Sequence, residues 1–475
     1  MKKQWIVLAL LLGGCATGFE EINTNPNAPI QVQPELLLRQ VIYNYGDEMA
    51  YEGFVAGNLL GQQFTMVDFN LFDRHDLSSP QLGGNPWPTV YTNLRDNEQL
   101  LALARENEVY AVYEGPALIL KAYMAATVTD LYGDVPYFEA LQGLAGNTTP
   151  AYDGQEEIYT APGGILDNLR QGVAALEGYA AAQTLGGDIL FEGDLDAWVA
   201  FGNSLLIKYL VRIADRVAVG PELQALADGG NYIADNAANA TFDFTNTQPN
   251  TFRMAVLRSG DFNLFVMSET MQEITADLGD PRVAVWFRPS EADGTFAGLL
   301  NGVDASNTSI SVADYSLAGT IFRENTALLD ANYMTAWETY FLLAEAAQRG
   351  VITGDAQAWY ELGMAQAFAY WHTDLPDDYL TTGNAAYGAN GADPIEQIIT
   401  QKWLASLTHG YEGWMEYRRT GFPQLKTVAA SLNNDLIPVR MPYPAEEAAL
   451  NAEAYQNATA TNQNSVNARV WWDMN

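Results

Sequence analysis

TAWETYFLLAEAAQRGVITGDAQAWYELGMAQAFAYW (335–371) carries the clearest structural instructions in the chain. Thr335-x-x-Glu338 matches a capping box, in which each side chain satisfies an orphan amide of a helix's first turn. Tyr340, Leu343, Ala344 and Ala347 then fall on one helical face, and Gly350 stops the helix. Asp355 is placed to cap a second helix, in which small residues alternate with aromatics and so permit close helix–helix packing. The stretch therefore predicts a helix, a tight turn and a second helix folded back on the first.

The same grammar recurs outward. Between 85 and 141, one helix carries Val90, Leu94, Leu100 and Leu101, and a second carries Val112, Ala117, Leu120 and Met124 before Gly133 and Pro136 end it. Helical patterns follow at 155–182, 194–217 and about 394–409. Repeated helix–turn–helix units predict a mostly α fold built on a tetratricopeptide-like solenoid. In contrast, 240–330 is crowded with Asn, Thr, Asp, Ser and Gly, with strand-like pieces at 282–287 and 309–312. Irregular segments on a rigid scaffold are the usual seat of recognition. The end, 431–475, is rich in Pro and Asn and is expected to wrap the surface.

Acidic residues outnumber basic ones by 58 to 23, a net charge of -35. A field of that sign repels phosphate backbones, so nucleic acid is excluded as a partner. Lys2 and Lys3 precede the apolar run Trp5–Leu12, which is too short to span a bilayer and reads as an export signal. Leu12-Gly13-Gly14-Cys15 matches a bacterial lipobox. Cleavage after residue 14 would leave Cys15, the only cysteine, as the first residue and a lipid attachment point. An ordinary secretory signal with an incidental cysteine is the alternative.

Signs of catalysis are poor. His75, His372 and His409 are the only histidines, and none has metal-ligand spacing. There is no phosphate-binding glycine loop and no nucleophile elbow in a strand–turn–helix context. No catalytic residue and no metal ligand is assigned. The carboxylates of DILFEGDLD (188–196) lack the EF-hand order, so calcium there is a weak expectation and no other cofactor is expected. With 58 acids, paired carboxylates suited to glycoside hydrolysis mean little without geometry.

Several blocks, in order, resemble the SusD/RagB family and its SusD-like branch: FEEINTNPNAP (19–29), VTDLYGDVPYFEAL (128–141), GDLDAWVAFGNSLLIKYLVRIAD (193–215), DPRVAVWF (280–287), YFLLAEAAQRG (340–350), IITQKWLASLTHGYEGWMEYRRTGFP (398–423), LIPVRMPYPAEEAALN (436–451) and VWWD (470–473). The resemblance implies one domain over 15–475, with four tetratricopeptide-like units at about 85–240 and 330–425. The loop-rich, ligand-facing part would lie at about 64–84 and 240–330. It further implies a non-catalytic surface lipoprotein of the outer membrane, which captures a glycan and delivers it to a SusC-type TonB-dependent transporter; some relatives bind peptides. The shared motifs read as scaffold: Trp198, Asn203 and Arg212 along one helix; Trp87 with Tyr91; Trp414 and Glu416 spaced for contact with Arg418 and Arg419; and Trp471-Trp472 as a terminal anchor.

A sugar offers an apolar face to an aromatic ring and hydroxyl edges to polar side chains. Ligand contacts are therefore sought among aromatics in loops: Phe69, Phe72, Asp73 and Arg74 before the scaffold resumes, and Trp286, Tyr315 and Phe322 in 286–322. Trp286, Tyr315 and Arg74 are preferred, although Phe69 also fits a core and Trp286 a buried strand. The net charge favours a neutral glycan. A glycoside hydrolase and a peptide or other nutrient binder remain the competing readings.

Overall fold

The computed structural model describes residues 32–78 and 82–475. The expected signal peptide, Cys15 and the 19–29 block lie outside the described residues. The scaffold begins with α1 (Pro34–Glu52), then α2 (Trp87–Glu106), α3 (Glu114–Tyr132), α4 (Ile165–Glu177) and α5 (Leu195–Ile213). A short α6 (Gly220–Gly229) follows, and α7 (Glu269–Leu278) lies in the loop-rich part. The scaffold closes with α8 (Ala336–Gln348), α9 (Ala356–Tyr370), α10 (Pro394–Ala405) and α11 (Glu412–Thr420). Each helix of the array packs on the next: α1 on α2, α2 on α3, α3 on α4, α4 on α5, α5 on α8, and α8 on both α9 and α10.

Local signals explain where these helices start and stop. Asp194, Asp355 and Asp393 each accept a first-turn amide of α5, α9 and α10. Gly133 and Gly350 end α3 and α8 with φ of +82° and +70°. Thr335 caps α8 as expected, but the reciprocal half of the capping box is not made. Among the described residues the Glu338 carboxylate has no hydrogen bond, and it is drawn inward to Lys208 and Lys402 at 3.1 and 3.2 Å. The 155–182 pattern is broken at Ala161-Pro162-Gly163-Gly164 into a short helix (Gln155–Thr160) and α4, and Val112 falls in a 3₁₀ turn between α2 and α3.

Two small antiparallel sheets support the loop-rich part. β1 (Phe64–Met66) pairs with β3 (Phe265–Met267), Thr65 opposite Val266. Between them in sequence, β2 (Ala240–Asp243) pairs with β4 (Asp330–Met334), with a bulge after Ala240. The strand-like pieces at 282–287 and 309–312 are not strands. Val283–Trp286 is a helical turn, started by Asp280, whose carboxylate accepts the Arg282 amide at 3.0 Å. After α1 the chain widens into a π-helical turn, Gly53–Gly57. A Cβ at Gly57 would lie 2.0 Å from the carbonyl oxygen of Gly410, so only glycine lets the two backbones touch.

At the centre of the scaffold lies a buried ion network. Lys208 and Arg212 of α5 meet Glu412 of α11 at 2.9 and 2.8 Å, and Arg212 also binds Asp130 of α3 at 2.7 Å. Lys402 of α10 binds Glu416 at 3.0 Å, while Arg419 joins Glu416 to Glu345 of α8. These charges are almost completely removed from water, yet each lies against opposite charge. Burial opposes ionisation of Glu416, but Arg419, Lys402 and Arg212 hold its carboxyl below the usual range. The spacing of Trp414, Glu416, Arg418 and Arg419 works as expected: Arg418 sits 4.5 Å over Trp414 and Arg419 pairs with Glu416. The 431–475 segment does more than wrap. Trp472 is buried between Arg212 and Arg418 and donates its indole N–H to Asp130 at 2.7 Å.

Glu52, at the end of α1, is buried without an ion pair among the described residues and accepts from the Gly84 amide at 2.8 Å and the Tyr411 hydroxyl. Burial outweighs these hydrogen bonds and pushes its carboxyl up to about 7. The folded protein therefore holds this proton more tightly than the unfolded chain does. The resulting stabilisation is fully present below pH 4.5 and is lost as the pH rises through 7. It amounts to about 3 kcal/mol. Glu52→Gln removes this loss, so its stability relative to the wild type should rise by that amount between about pH 4.5 and 8. Urea unfolding at both pH values checks it; an unchanged difference would contradict the burial argument.

Candidate functional site

The loop after β1 is built around one carboxylate. Asp73 is buried and accepts four hydrogen bonds: Thr65 Oγ1 at 2.6 Å, Asn301 Nδ2 at 2.6 Å, Gly302 N at 2.8 Å and Met66 N at 3.3 Å. It thereby locks the 64–78 loop to the 299–307 loop. Asn70 strengthens the lock by donating to Val303 O at 2.7 Å. A third segment, 428–436, closes the assembly. Ala429 and Ala430 donate to Asn301 and Gly302 carbonyls, Leu432 donates to Arg74 O, and Arg74 Nε donates to Ala430 O at 2.9 Å. His75 turns its ring inward to Leu436 O, and burial holds it neutral by pushing its pKa down to about 4.

The three-loop platform carries an exposed aromatic and a polar edge on the same 64–78 segment. Phe69 is 63% exposed, lifted out by a backbone φ of +49°. The Arg74 guanidinium lies 3.7 Å from Asp304. Asp304 is itself oriented by Ser306 Oγ at 2.6 Å and Asn307 Nδ2 at 2.8 Å. Leu432 and Leu436 are about half exposed on the third segment. Tyr315 is half-buried in a neighbouring cluster with Val67, Leu299, Val303 and Val312. An exposed aromatic face and fixed donors and acceptors on one platform can bind a polar, ring-shaped ligand; among the described residues the platform contains no nucleophile–base pair.

The remaining expected contacts are core residues, which corrects the sequence reading. Trp286 is fully buried, edge-on to Trp371 at 5.6 Å and under the Arg282 guanidinium. Phe322 is fully buried against Phe54 and Phe64, and Phe72 is 4% exposed. Rings so enclosed cannot meet a ligand in this conformation, and Asp73 spends its oxygens inside the protein. Conversely, Asn301, Asp304 and the 428–436 segment were missed. Leu432 and Leu436 flanking the Asn433-Asn434-Asp435 turn are the one local sign that this segment has an exposed apolar edge.

Asp188, in the carboxylate-rich 188–196 stretch, accepts from the amides of Leu190, Phe191 and Gly193 and from Trp198 Nε1, and so organises the entry to α5. Among the described residues, no group of three His, Cys, Asp or Glu side chains is arranged to hold a metal ion. In the same residues no helix is long and apolar enough to cross a membrane.

A SusD-like family model, described as starch-binding and associating with the outer membrane, matches residues 26–444. The chain belongs to the SusD family. SusD homologues bind rather than catalyse, so this family member is not an enzyme. No curated protein matches the chain. Among solved structures, a SusD homologue from Bacteroides uniformis is 26% identical, with 92% of this chain and 99% of that one aligned at a TM-score of 0.77. A chitin-binding SusD homologue from Flavobacterium johnsoniae is 23% identical over 93% of this chain and 97% of that one, TM-score 0.77. A third, from Bacteroides fragilis, is 22% identical over 93% and 100%, TM-score 0.79. The helix-pair scaffold and irregular half expected from the resemblance are thus those of the SusD fold.

Proposed function

We propose that this SusD-family protein is a cell-surface lipoprotein, anchored through Cys15, that captures a neutral poly- or oligosaccharide and passes it to a SusC-type TonB-dependent transporter. The observation that carries the binding part is the exposed Phe69 on the same loop as Arg74, whose guanidinium faces Asp304. An aromatic face takes the apolar side of a sugar, and the platform's donors and acceptors take its hydroxyls. Tyr315, in the neighbouring cluster with Val67 and Val303, is a further candidate contact. The family's description as starch-binding and the chitin-binding relative favour a glycan. The net charge of -35 favours an uncharged one, since sulfated or uronate polymers would be repelled.

Native gels cast with soluble starch, glycol chitin or alginate test this. The wild type should be retarded by a neutral polymer and not by alginate. Phe69→Ala/Arg74→Ala should weaken that retardation about tenfold, the loss of one stacking contact and one charge-assisted hydrogen bond. Retardation by alginate alone would overturn the neutral-glycan reading.

A further inference from the structure

A cleft of about 570 Å³ opens between α1 and the segment around β2, away in sequence from the Asp73 platform. That volume is within the range of small-molecule sites. Arg39, Gln40 and Tyr43 line it from one face of α1, at the three- and four-residue spacings that bring side chains together. Phe242, Asp243 and Asn250 line the facing side.

The cleft has a built aromatic floor. Tyr43 and Phe242 stack with ring centroids 5.4 Å apart and planes 29° from parallel. Phe242 is seated from behind by Gly46, where a Cβ would come within 2.6 Å of its ring. Tyr43 remains half-buried. Its polar surroundings are positioned yet unspent. Gln40 donates Nε2 to Asp96 at 3.0 Å, which fixes its amide and leaves the carbonyl oxygen without a donor among the described residues. In the same residues Arg39 and Asp243 form no ion pair, with each other or elsewhere, in a chain whose other exposed arginines are mostly paired. A stacked ring ringed by a free donor and free acceptors suits a ligand whose every hydroxyl is both donor and acceptor.

We propose that this cleft is a second glycan site, taking one uncharged sugar unit against Tyr43 while a longer chain engages the Asp73 platform or bridges to another molecule. The proposal rests on the glycan-binding reading above. Two contacts on one polymer act through effective concentration, so loss of the weaker one is visible on a polymer.

The test uses the full chain on gels of soluble starch and glycol chitin. Tyr43→Ala should weaken apparent affinity for the retarding polymer about 2–10-fold, the range of one aromatic contact. Tyr43→Trp should retain it. Arg39→Ala, an exposed change that leaves the fold intact, should move the gel in the same direction as Tyr43→Ala. Combined with Phe69→Ala/Arg74→Ala, either change should remove the residual retardation. If Tyr43→Ala and Arg39→Ala migrate as the wild type on a gel that retards it, the second site is overturned and the proposed function stands. If neither polymer retards the wild type, both fall.

Discussion

Arg212→Ala lowers the stability of this protein by about 3–5 kcal/mol, the cost of removing one member of a buried ion group. The guanidinium is 1% exposed and touches Asp130 of α3 and Glu412 of α11, while its own helix, α5, packs on α4 and α8. It also lies 5.6 Å from the ring of Trp472, the anchor of the C-terminal segment. Truncation leaves the Asp130 carboxylate without its directly paired counter-charge, hydrogen-bonded among the described residues only by the Tyr159 hydroxyl and the Trp472 indole. Glu412 keeps the two lysines but loses the hydrogen bond from Arg212 Nη2. An isolated buried carboxylate must take up a proton or admit water, and either costs several kcal/mol. The comparison is Arg258→Ala: Arg258 also pairs with a carboxylate, Asp261, but its side chain is 85% exposed. That change should be close to neutral, because a solvent-screened surface pair contributes little. Urea unfolding followed by circular dichroism measures both, and equal effects would show that the network contributes no more than a surface pair.

Asp73→Asn should cost about 3 kcal/mol, although the side chain keeps its shape. Four donors from two segments, 65–66 and 301–302, converge on the Asp73 carboxylate, and all four need an acceptor. An amide offers one oxygen and one NH₂. Whichever way it is turned, donors face a donor in a site without water contact, and each unsatisfied buried group costs roughly 1–3 kcal/mol. The damage reaches function through geometry, because Phe69 and Arg74 stand on the loop that this carboxylate ties down. Binding to the neutral polymer should therefore fall with stability. Asp76→Asn, three residues on and outside this hydrogen-bond set, should change neither. A melting temperature unmoved in Asp73→Asn would show that the platform is held by other contacts.

The helices were legible because their signals are local. A cap, an apolar stripe and a stop lie within one or two turns, and Thr335, Asp355 and Gly350 behave as their neighbours dictate. The same is true of Arg418 and Arg419, whose partners Trp414 and Glu416 sit on the same helix. The capping box failed where a long-range interaction entered: Glu338 belongs to Lys208 and Lys402, which lie far off in sequence and outbid a single backbone amide. Candidate ligand contacts failed for the same reason. Phe69 and Trp286 both lie in irregular, polar stretches, yet one is 63% exposed and the other fully buried. What separates them is Trp371, just past the C-terminal end of α9, which covers Trp286, whereas among the described residues no aromatic ring packs on Phe69.

The sequence by itself determined the helix-pair scaffold and the family, since both are written in residues near one another or repeated in order along the chain. Which charges share one buried network, which rings reach the surface, and that 64–78, 299–307 and 428–436 form one platform were decided only by tertiary structure. Those properties depend on burial, and burial is set by whatever distant segment arrives to exclude water.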